Sequence, residues 1–340
     1  MKYLLSFLFI IVICFSCKSN EGWPELEGTY LGQKPPGEHA EMFACKLLSA
    51  GNNEAHIIVS PDGSEILFSV TTPQGVLLTE PKGVFGASYL MYSKLVDGVW
   101  SEPTEFLPER GYRIHYPAFS PDGNRLVFNS YGKRNESSGE PESRIWYIDR
   151  LENGWSEPQE VKFGPEYKGD GTVYPTIAAS GNIYFAEWPT NEKGYISVSR
   201  YADGKYSSPE KLSENINQYG GNHPYIAPDE SFIIYDSEIP GEITKEGAND
   251  LYISFRSEDG EFRKPVNLGE DVNSVHDERR AFVTNDGKYL FFASARISPD
   301  KPKDPVTITE LQKYVNVPQN SFQHLYWASA KIIEDLKSDF

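Results

Sequence analysis

Short apolar stretches with strand-like composition recur along most of the chain, and a turn-forming tetrapeptide separates them in pairs. The clear copies of this turn are Ser60–Gly63 and Ser120–Gly123, both SPDG, and weaker copies lie at Ala178–Gly181, Ala227–Glu230 and Thr284–Gly287. A short apolar run precedes each copy, and a run ending in an aromatic residue, such as EILF or RLVF, follows it. A strand, an Asp-Gly turn and a second strand are typical of a β-hairpin. The pattern therefore predicts five hairpins.

A second hairpin follows the first in four of these units. Its members share an alternating strand, an Asn/Asp-Gly turn, and an aromatic residue with a proline three positions later. They are Tyr89–Pro103, Arg144–Pro158, Tyr195–Pro209 and Asp250–Pro265, with Trp100, Trp155, Tyr206 and Phe262 as the aromatic residues. We expect these aromatic side chains to pack between units and each complete unit to contain four strands.

The fifth unit lacks an outer strand, and the N-terminal region contains a stretch that supplies one. His324–Ile332 matches the third strand of the other units, and Glu41–Asn53 matches their outer strands, with Phe43 in the place of Trp100. A first strand that completes the last sheet closes a ring and leaves no open edge. The sequence thus predicts an all-β, single-domain β-propeller over residues 38–340. It has five four-stranded blades, or six if a degenerate unit has merged with its neighbour.

The repeat also carries a family resemblance. The pattern SPDGxxLxF resembles the PD40, or WD40-like, repeat of TolB-like propellers. The stretch GTYLGQKPPG, followed by MFACKL and then SPDG, resembles a group of secreted lipoproteins of the Bacteroidetes type. The resemblance covers about residues 28 to 336 and implies the propeller fold. It does not decide the function, because the same repeat serves binding scaffolds, protease propellers and some lyases.

The N-terminus has the features of an export signal. Lys2 precedes the apolar run Tyr3–Phe15, which is too short to span a bilayer. The sequence CFSC, ending at Cys17, resembles a bacterial lipoprotein box and implies cleavage before Cys17 and lipidation of that residue. We therefore expect a signal peptide over residues 1–16 and a tether and docking segment over 17–37. The protein would be anchored by lipid in the cell envelope, at the outer membrane on its periplasmic or surface face, with plain secretion as the alternative.

The composition narrows the class of partner. With 32 Lys and Arg against 49 Asp and Glu, the net charge is −17, which disfavours nucleic acid and a peripheral hold on anionic lipid. After Cys17 only Cys45 remains, so no disulfide can form within the folded part. We expect a monomer that contacts the membrane only through its anchor and binds an envelope protein, a peptide or a glycan.

The starts of the innermost strands supply the candidate site. The connections at that end of the blades vary widely in length, whereas the opposite turns are short and uniform, and function usually resides in variable loops. Residues at this end should surround the mouth of the central channel, with two carboxylates nearby. They are His56, Tyr116, Tyr174, His223 and Arg280, then His115 and Arg279 one position earlier, and the carboxylates Glu187 and Asp236. A polar lining of a water-filled channel explains the same residues without a ligand.

Three functions remain open at this point. The first is a binding or scaffold module without a cofactor. The second is an enzyme acting on polysaccharide, as the resemblance to TolB-like lyases implies, with a divalent metal on His56, His115 and His223 and with Arg279 or Arg280 neutralising a uronate. Two carboxylates about 5–9.5 Å apart among Glu54, Glu187, Asp236 and Glu278 would instead suit glycoside hydrolysis. The third is a purely structural envelope component. No HExxH, GxSxG, P-loop or GxGxxG motif occurs.

Overall fold

The computed structural model describes residues 23–49, 52–71, 88–107, 114–130, 143–164, 167, 171–189, 193–240, 248–298, 307–315 and 317–338. The predicted signal peptide, Cys17 and the first part of the predicted tether lie outside these ranges, as do parts of the long connections between second and third strands.

The described chain forms 24 strands, most of them in five antiparallel sheets. Ahead of the first hairpin lies β1 (Glu41–Met42). Blade 1 contains β2 (Asn53–Val59), β3 (Glu65–Thr71), β4 (Ser88–Val96), β5 (Val99–Trp100) and β6 (Thr104–Glu105). Blade 2 contains β7 (His115–Phe119), β8 (Arg125–Ser130), β9 (Arg144–Leu151), β10 (Gly154–Trp155) and β11 (Gln159–Glu160).

The remaining blades follow the same plan. Blade 3 contains β12 (Thr172–Ile177), β13 (Ile183–Glu187), β14 (Tyr195–Ser199), β15 (Tyr201–Ala202), β16 (Lys205–Tyr206) and β17 (Glu210–Lys211). Blade 4 contains β18 (Asn222–Ile226), β19 (Phe232–Ser237), β20 (Asp250–Phe255) and β21 (Val266–Asn267). Blade 5 contains β22 (Glu278–Val283), β23 (Tyr289–Ser294) and β24 (His324–Ser329).

The sheet order confirms the predicted ring of five blades. In blade 5 the order is β1-β24-β23-β22, so the first strand of the chain is the outer strand of the last blade. Glu41 pairs with Trp327 and Met42 with Tyr326. The predicted closure by an N-terminal strand is therefore confirmed, although only two residues of the stretch 41–53 form that strand.

The outer strands are short because proline interrupts them. In blades 1 and 2 the outer strand is split into two pieces that both pair with the third strand, β5 and β6 on β4, and β10 and β11 on β9. Pro103 and Pro158 lie in the two gaps. Proline has no backbone N–H to donate to the ladder, so the pairing stops there and resumes one or more residues later.

The SPDG turns are held by their own side chains. In the second copy Asp122 Oδ1 accepts hydrogen bonds from Ser120 Oγ at 2.5 Å and from the N–H of Asn124 at 3.0 Å. Ser120 Oγ accepts from the N–H of Arg125 at 2.9 Å, and Gly123 takes a positive φ of 73°. Asp62 and Asp286 make the equivalent bonds in their turns. These aspartates are turn-forming residues, as Asx turns require.

Aromatic side chains fill the spaces between blades, as predicted. Trp100, Trp155 and Phe262 are buried in three different interblade clusters. At the closure, Phe43 packs against Phe291 and Trp327, each with ring centroids 5.1 Å apart. Burying an aromatic or aliphatic side chain contributes roughly 1.5–3 kcal/mol, so these contacts are a major source of cohesion between neighbouring sheets.

In the described part of the chain, helices are few and lie at the periphery. They are a 3-10 turn at Thr29–Gly32 and the helices α1 (Glu214–Asn217), α2 (Ile308–Val315) and α3 (Lys331–Lys337). α2 confirms the helix that the stretch TITELQKY predicts in the last long connection. Among the described residues no helix is both long and apolar enough to cross a membrane.

Candidate functional site

The two ends of the propeller differ in surface chemistry. We call the end with the connections from second to third strands, and from one blade to the next, the loop face, and the opposite end the turn face. Large exposed apolar side chains on the loop face, among the described residues, are Trp188, Tyr219, Val275, Ile308, Leu311, Val317 and Phe322. The turn face exposes Val96, Leu151 and Tyr201. More of the large exposed apolar side chains therefore lie on the loop face than on the turn face among the described residues.

Five residues at equivalent positions form a ring in the central channel, which we call the channel ring. They are His56, Tyr116, Tyr174, His223 and Arg280, and all five line one small cavity. The structure therefore brings these five residues together at one cavity, whereas the sequence alone predicts only that they surround the channel mouth.

A β-bulge in each innermost strand directs the ring side chains into the channel. In blades 2 to 5 the bulge includes the ring residue itself, since two residues of the first strand there oppose one of the second. Tyr116, Tyr174, His223 and Arg280 accordingly have φ values of 48°, 58°, 42° and 59°. In blade 1 the bulge falls one residue earlier, at Ala55. Bulges commonly re-aim a side chain next to a functional site, and a positive φ in a residue other than glycine stores strain there.

Aromatic contacts hold the channel ring together. The rings of Tyr116 and Tyr174 meet edge to face at 4.4 Å between centroids, and Tyr174 lies 3.9 Å from His223. The guanidinium carbon of Arg280 lies 5.3 Å from the centroid of Tyr116, within cation–π range. These contacts join side chains from four blades into one packed layer.

The cavity inside the ring is small. The space that a water molecule's centre can occupy is about 20 Å³, which suffices for one water molecule or one group of that size. On the turn-face side of the ring lies a second small space, of about 40 Å³ for a water molecule's centre, whose lining includes Tyr225 and Phe282. These two rings meet edge to face at 6.0 Å. Only a small terminal group of a ligand fits the cavity inside the ring.

His56 is neutral and has a defined tautomer. Its Nε2 lies 2.9 Å from the carbonyl oxygen of Pro117, which can only accept, so Nε2 carries the proton. Burial lowers the pKa of His56 to about 4, and the charge of Arg280 acts in the same direction against the bond to Pro117. The other nitrogen, Nδ1, is buried and makes no hydrogen bond within the described part of the chain.

His223 is bonded to the protein through the other ring nitrogen, Nδ1. Its Nδ1 lies 2.8 Å from Asp236 Oδ1, and both side chains are buried. Burial lowers the pKa of His223 to about 4 and outweighs the opposing effect of the Asp236 carboxylate. A neutral His223 that donates through Nδ1 presents a lone pair at Nε2. That Nε2 atom is buried and unbonded as far as the described residues extend.

Arg280 supplies the positive charge of the channel ring. Its Nη1 donates to Gln323 Oε1, and its backbone N–H, freed by the bulge, donates to Asp236 Oδ1 at 3.2 Å. The Nε atom is buried without a hydrogen-bond partner among the residues described. We refer to His56 Nδ1, His223 Nε2 and Arg280 Nε as the three open polar atoms.

Several predicted site residues serve other purposes. Arg279 does not line the cavity, because its Nε donates to Asp277 Oδ2 at 2.6 Å. Glu187 is buried at the end of β13 and accepts from Tyr167 at 2.8 Å. His115 lies outside the cavity, with its ring 6.2 Å from that of Tyr116. Asp236 is a supporting residue beneath His223 and Arg280.

The carboxylates predicted for glycoside hydrolysis are all engaged by the protein. Glu54 bonds His324 at 2.8 Å in a fully buried pair. Glu278, whose pKa is raised by burial, accepts from Ser274 and Ser294, each at 2.7 Å. Glu187 and Asp236 are held by Tyr167 and His223. None of these four therefore faces a substrate as a free acid or base.

The residues of the channel ring do not fit a divalent metal. Only two of the three candidate histidines border the cavity, and the Arg280 guanidinium lies in the same small space, where it opposes a cation. Among the described residues no group of three or more His, Cys, Asp or Glu side chains is arranged to hold an ion.

Sequence reasoning missed a polar network that links blades 5 and 1 next to the ring. The side-chain amide of Gln323 accepts a hydrogen bond from Arg280 Nη1 and donates one to Asp277 Oδ2 at 3.1 Å. The backbone N–H of Gln323 donates to Asn53 Oδ1 at 3.0 Å, which links it to blade 1. No repeat position marks Gln323, because it lies in the connection before β24, where the blades have no common pattern.

Comparison with known proteins gives the following. No protein-family model and no curated protein matches the chain. Similar solved structures include TolB from Acinetobacter baumannii, with 12% identity, 81% of this chain and 54% of that chain aligned, and a TM-score of 0.43. A TolB-type protein from Agrobacterium tumefaciens aligns with 12% identity over 82% of this chain and 90% of that chain, with a TM-score of 0.44. The chain thus spans about half the length of the first of these.

A third similar structure is described as a 6-phosphogluconolactonase from Bacteroides fragilis. It aligns with 16% identity over 70% of this chain and 76% of that chain, with a TM-score of 0.36. These likenesses concern the propeller fold, and the five-bladed architecture here rests on the strand pairing itself.

Proposed function

We propose that this protein is a non-catalytic binding module that engages a glycan or peptide ligand on its loop face. The observation that carries the proposal is the channel ring itself, in which five residues from five blades line one cavity and three of their buried polar atoms have no hydrogen-bond partner among the described residues. Buried polar groups are nearly always hydrogen-bonded, so atoms left without a partner inside a preformed pocket mark a place for a ligand group. The exposed apolar side chains around it provide contact area.

The same geometry disfavours the alternative of a metal-assisted lyase or glycosidase. Arg280 opposes a metal ion in the pocket, and the four candidate carboxylates are occupied by protein partners. A binding module without a cofactor does not require a free carboxylate, so the hydrogen bonds of these four residues are compatible with it. A purely structural role leaves the strained ring residues and the open atoms unexplained.

The cellular placement belongs to the same proposal. The CFSC sequence supports lipidation of Cys17 and a monomeric protein tethered to the cell envelope, with its loop face presented to an envelope protein, peptide or glycan. In cells, the wild-type protein should incorporate a labelled fatty acid, and Cys17→Ser should not. Equal labelling of the wild type and of Cys17→Ser, or no labelling of the wild type, would contradict lipid anchoring.

The binding role is tested with the full-length chain, purified in detergent, on arrays of glycans and peptides. Arg280→Met removes the guanidinium while keeping much of the side chain's bulk. Its matched control is Arg200→Met, because Arg200 is an exposed arginine that pairs with Glu210 away from the channel. We expect a bound ligand that is lost in Arg280→Met, retained in Arg200→Met, and recovered chemically unchanged. Absence of binding on both arrays, equal binding by Arg280→Met, or cleavage of the ligand would overturn the proposal.

A further inference from the structure

We infer that the loop face of the propeller lies against the membrane that holds its lipid anchor, and that the exposed apolar side chains of this face contact lipid. The inference rests on the lipidation of Cys17 in the proposed function. It goes beyond the expectation that the protein contacts the membrane only through its anchor. It also specifies where the ligand is met, because a loop face in this position binds a group displayed at the membrane surface.

The direction of the N-terminal segment is the first observation. Glu27 forms an antiparallel bridge with Val99, and the carbonyl oxygen of Leu26 accepts from the N–H of Trp100 at 2.8 Å. From Val99 onward the outer strand of blade 1 runs from the turn face to the loop face, since β5 follows the turn after β4. A segment antiparallel to it runs the other way, so the residues before Glu27 lie progressively nearer the loop face.

Trp23 lies at the loop-face end of this segment. It lines a groove together with Val70 and Tyr89, which pair with each other near the loop-face ends of β3 and β4. Trp23 follows Cys17 by six positions, and six residues span at most about 22 Å when fully extended. The lipid on Cys17 therefore holds the loop-face side of blade 1 within that distance of the bilayer.

The rim of blade 1 and the loop face differ as surfaces for contact with lipid. The rim at the N-terminal segment exposes the carboxylates of Glu25, Glu27 and Glu102, which would lose hydration against lipid. The loop face instead carries seven of the ten large apolar side chains that the described residues expose. The anchor therefore brings the loop face, rather than the rim, to the bilayer.

The apolar surface extends from one blade to the next. The indole of Trp188 packs on the backbone of Gly194, where a Cβ atom would lie 2.8 Å from Trp188 Cε2. The carbonyl oxygen of Gly194 approaches Gly220, on which a Cβ atom would lie 3.2 Å away. Trp188 and Tyr219, exposed by 49% and 39%, thus flank the same pair of glycines. Aromatic residues of this kind are enriched where a membrane meets water.

Blade 5 places another aromatic side chain beside the N-terminal segment. Phe322 is exposed by 47% and precedes Gln323, whose N–H donates to Asn53 at 3.0 Å. The neighbouring Asn52 lines the groove that contains Trp23. The apolar surface of blade 5 therefore lies next to the point from which the chain leads to its anchor.

The helix α2, in the same connection of blade 5, suits a position at the lipid surface. It exposes Ile308 by 68% and Leu311 by 43%, and residues three positions apart lie on one side of a helix. Amphipathic helices bury such a side at the boundary between headgroups and acyl chains. With a net charge of −17, the chain gains no electrostatic attraction to anionic lipid. The contact is therefore apolar and insensitive to salt.

The orientation is tested with the mature, lipidated chain inserted through its anchor into preformed phosphatidylcholine vesicles. Cys45 is exposed and is replaced by serine, and a fluorescent dye is attached at Gln218→Cys on the loop face or at Glu258→Cys on the turn face, both exposed positions. A phosphatidylcholine with a nitroxide on its headgroup quenches dyes that lie close to the bilayer. We expect several-fold stronger quenching of the dye at position 218 than of the dye at position 258, equally at low and high salt.

The contact with lipid is tested with two double variants that carry the dye at position 218. Ile308→Ser with Leu311→Ser removes exposed apolar side chains from the loop face, and Val96→Ser with Leu151→Ser is the matched control on the turn face. Quenching should fall in the first double variant and stay unchanged in the second.

Other results would contradict the inference. Equal quenching at the two dye positions, stronger quenching at position 258, or no quenching of either dye in vesicle-bound protein would overturn it, while leaving the lipid anchor established. Unchanged quenching in the double variant of Ile308 and Leu311 would also overturn it, because the anchor alone would then hold the face near the bilayer. A chain that incorporates no fatty acid would contradict the anchoring and the inference together.

Discussion

At the scale of single residues, the channel ring combines three features that each cost free energy. Four of its residues have a positive φ, two of its histidines are kept neutral by burial, and three polar atoms lack partners within the described residues. A strained residue of this kind costs of the order of 1–3 kcal/mol and persists only where its surroundings impose it. Such a concentration at one end of the channel supports a role in binding.

The pair His223–Asp236 gives the first prediction. His223→Ala leaves a buried carboxylate without its partner, which should cost about 3–5 kcal/mol in the free energy of unfolding. Asp236→Ala should also destabilise the protein, because the N–H of Arg280 loses its acceptor as well. Urea denaturation of both single variants and the double variant should give a loss for the double variant that is smaller than the sum.

The matched control is the exposed pair His39–Asp271. Exposed pairs contribute roughly 0–1 kcal/mol, so the same three substitutions there should change stability little and additively. Additive losses at His223 and Asp236 would show that the two side chains do not act as a pair.

The neutral histidines predict a loss of stability in mild acid. His56 and His223 have pKa values of about 4 in the folded protein, below the ordinary value of about 6.5 expected in the unfolded chain. Between these values the unfolded chain binds more protons, so stability is complete above pH 6.5 and falls as the pH drops toward 4. The charged groups that act on this pair are Asp236, Arg279 and Arg280.

The measurement is the free energy of unfolding in urea at a series of pH values from 7 to 4. His56→Phe should reduce the slope in this window, because one of the two titrating groups is removed. Tyr174→Phe changes the same ring without removing a histidine and should leave the slope as it is. An unchanged slope in His56→Phe would show that the pKa of His56 does not differ between the folded and the unfolded state.

At the scale of elements, the hairpins could be predicted from the sequence and the bulges could not. The SPDG pattern specifies its turn through bonds within six residues, from Ser120 to Arg125, and such local chemistry is visible in a single chain. The bulge at Tyr116 depends on how β7 pairs with β8 and packs against the next blade. The contacts of Arg279 with Asp277 and of Glu187 with Tyr167 could not be predicted for the same reason, since no repeat position encodes them.

The turn chemistry predicts that Asp122 contributes to stability and not to binding. Its pKa is lowered chiefly by the hydrogen bond from Ser120, and the residue lies on the turn face. Asp122→Ala removes acceptors for Ser120 Oγ and the N–H of Asn124 and should cost about 1 kcal/mol. Urea denaturation measures this loss, and the array assay should show unchanged binding.

Glu152→Ala is the control for this substitution, because Glu152 is an exposed acidic residue in the next turn of the same blade. It should change neither stability nor binding by a measurable amount. Loss of ligand in Asp122→Ala would place the binding site on the turn face and contradict the assignment to the loop face.

At the scale of the whole molecule, stability depends on joining the two ends of the chain. The short strand β1 pairs with β24, and the N–H of Phe43 donates to the carbonyl of Leu325 at 2.8 Å. Ser49 Oγ accepts from the N–H of Leu325, and Glu54 bonds His324 across the same interface. Each contact joins the first fifty or so residues to the last blade, so the closure is non-local in sequence although it was visible in the repeat count.

The last prediction concerns this closure. Phe43 is fully buried against Phe291 and Trp327, so Phe43→Ala should cost about 3–5 kcal/mol through lost contacts and a cavity.

A chain that begins at residue 50 loses β1 as well, which exposes the edge of β24 and opens the hydrophobic cluster around Trp327. It should unfold at a much lower urea concentration, and a synthetic peptide of residues 27–49, added in trans, should restore part of the difference because it can occupy the vacant edge. Leu47→Ala, at a partly exposed position of the same segment, should have a much smaller effect than Phe43→Ala. If the truncated chain unfolds at the same urea midpoint as the full chain and the peptide does not bind, the propeller does not need the N-terminal segment for stability. Packing between the blades alone would then hold it together.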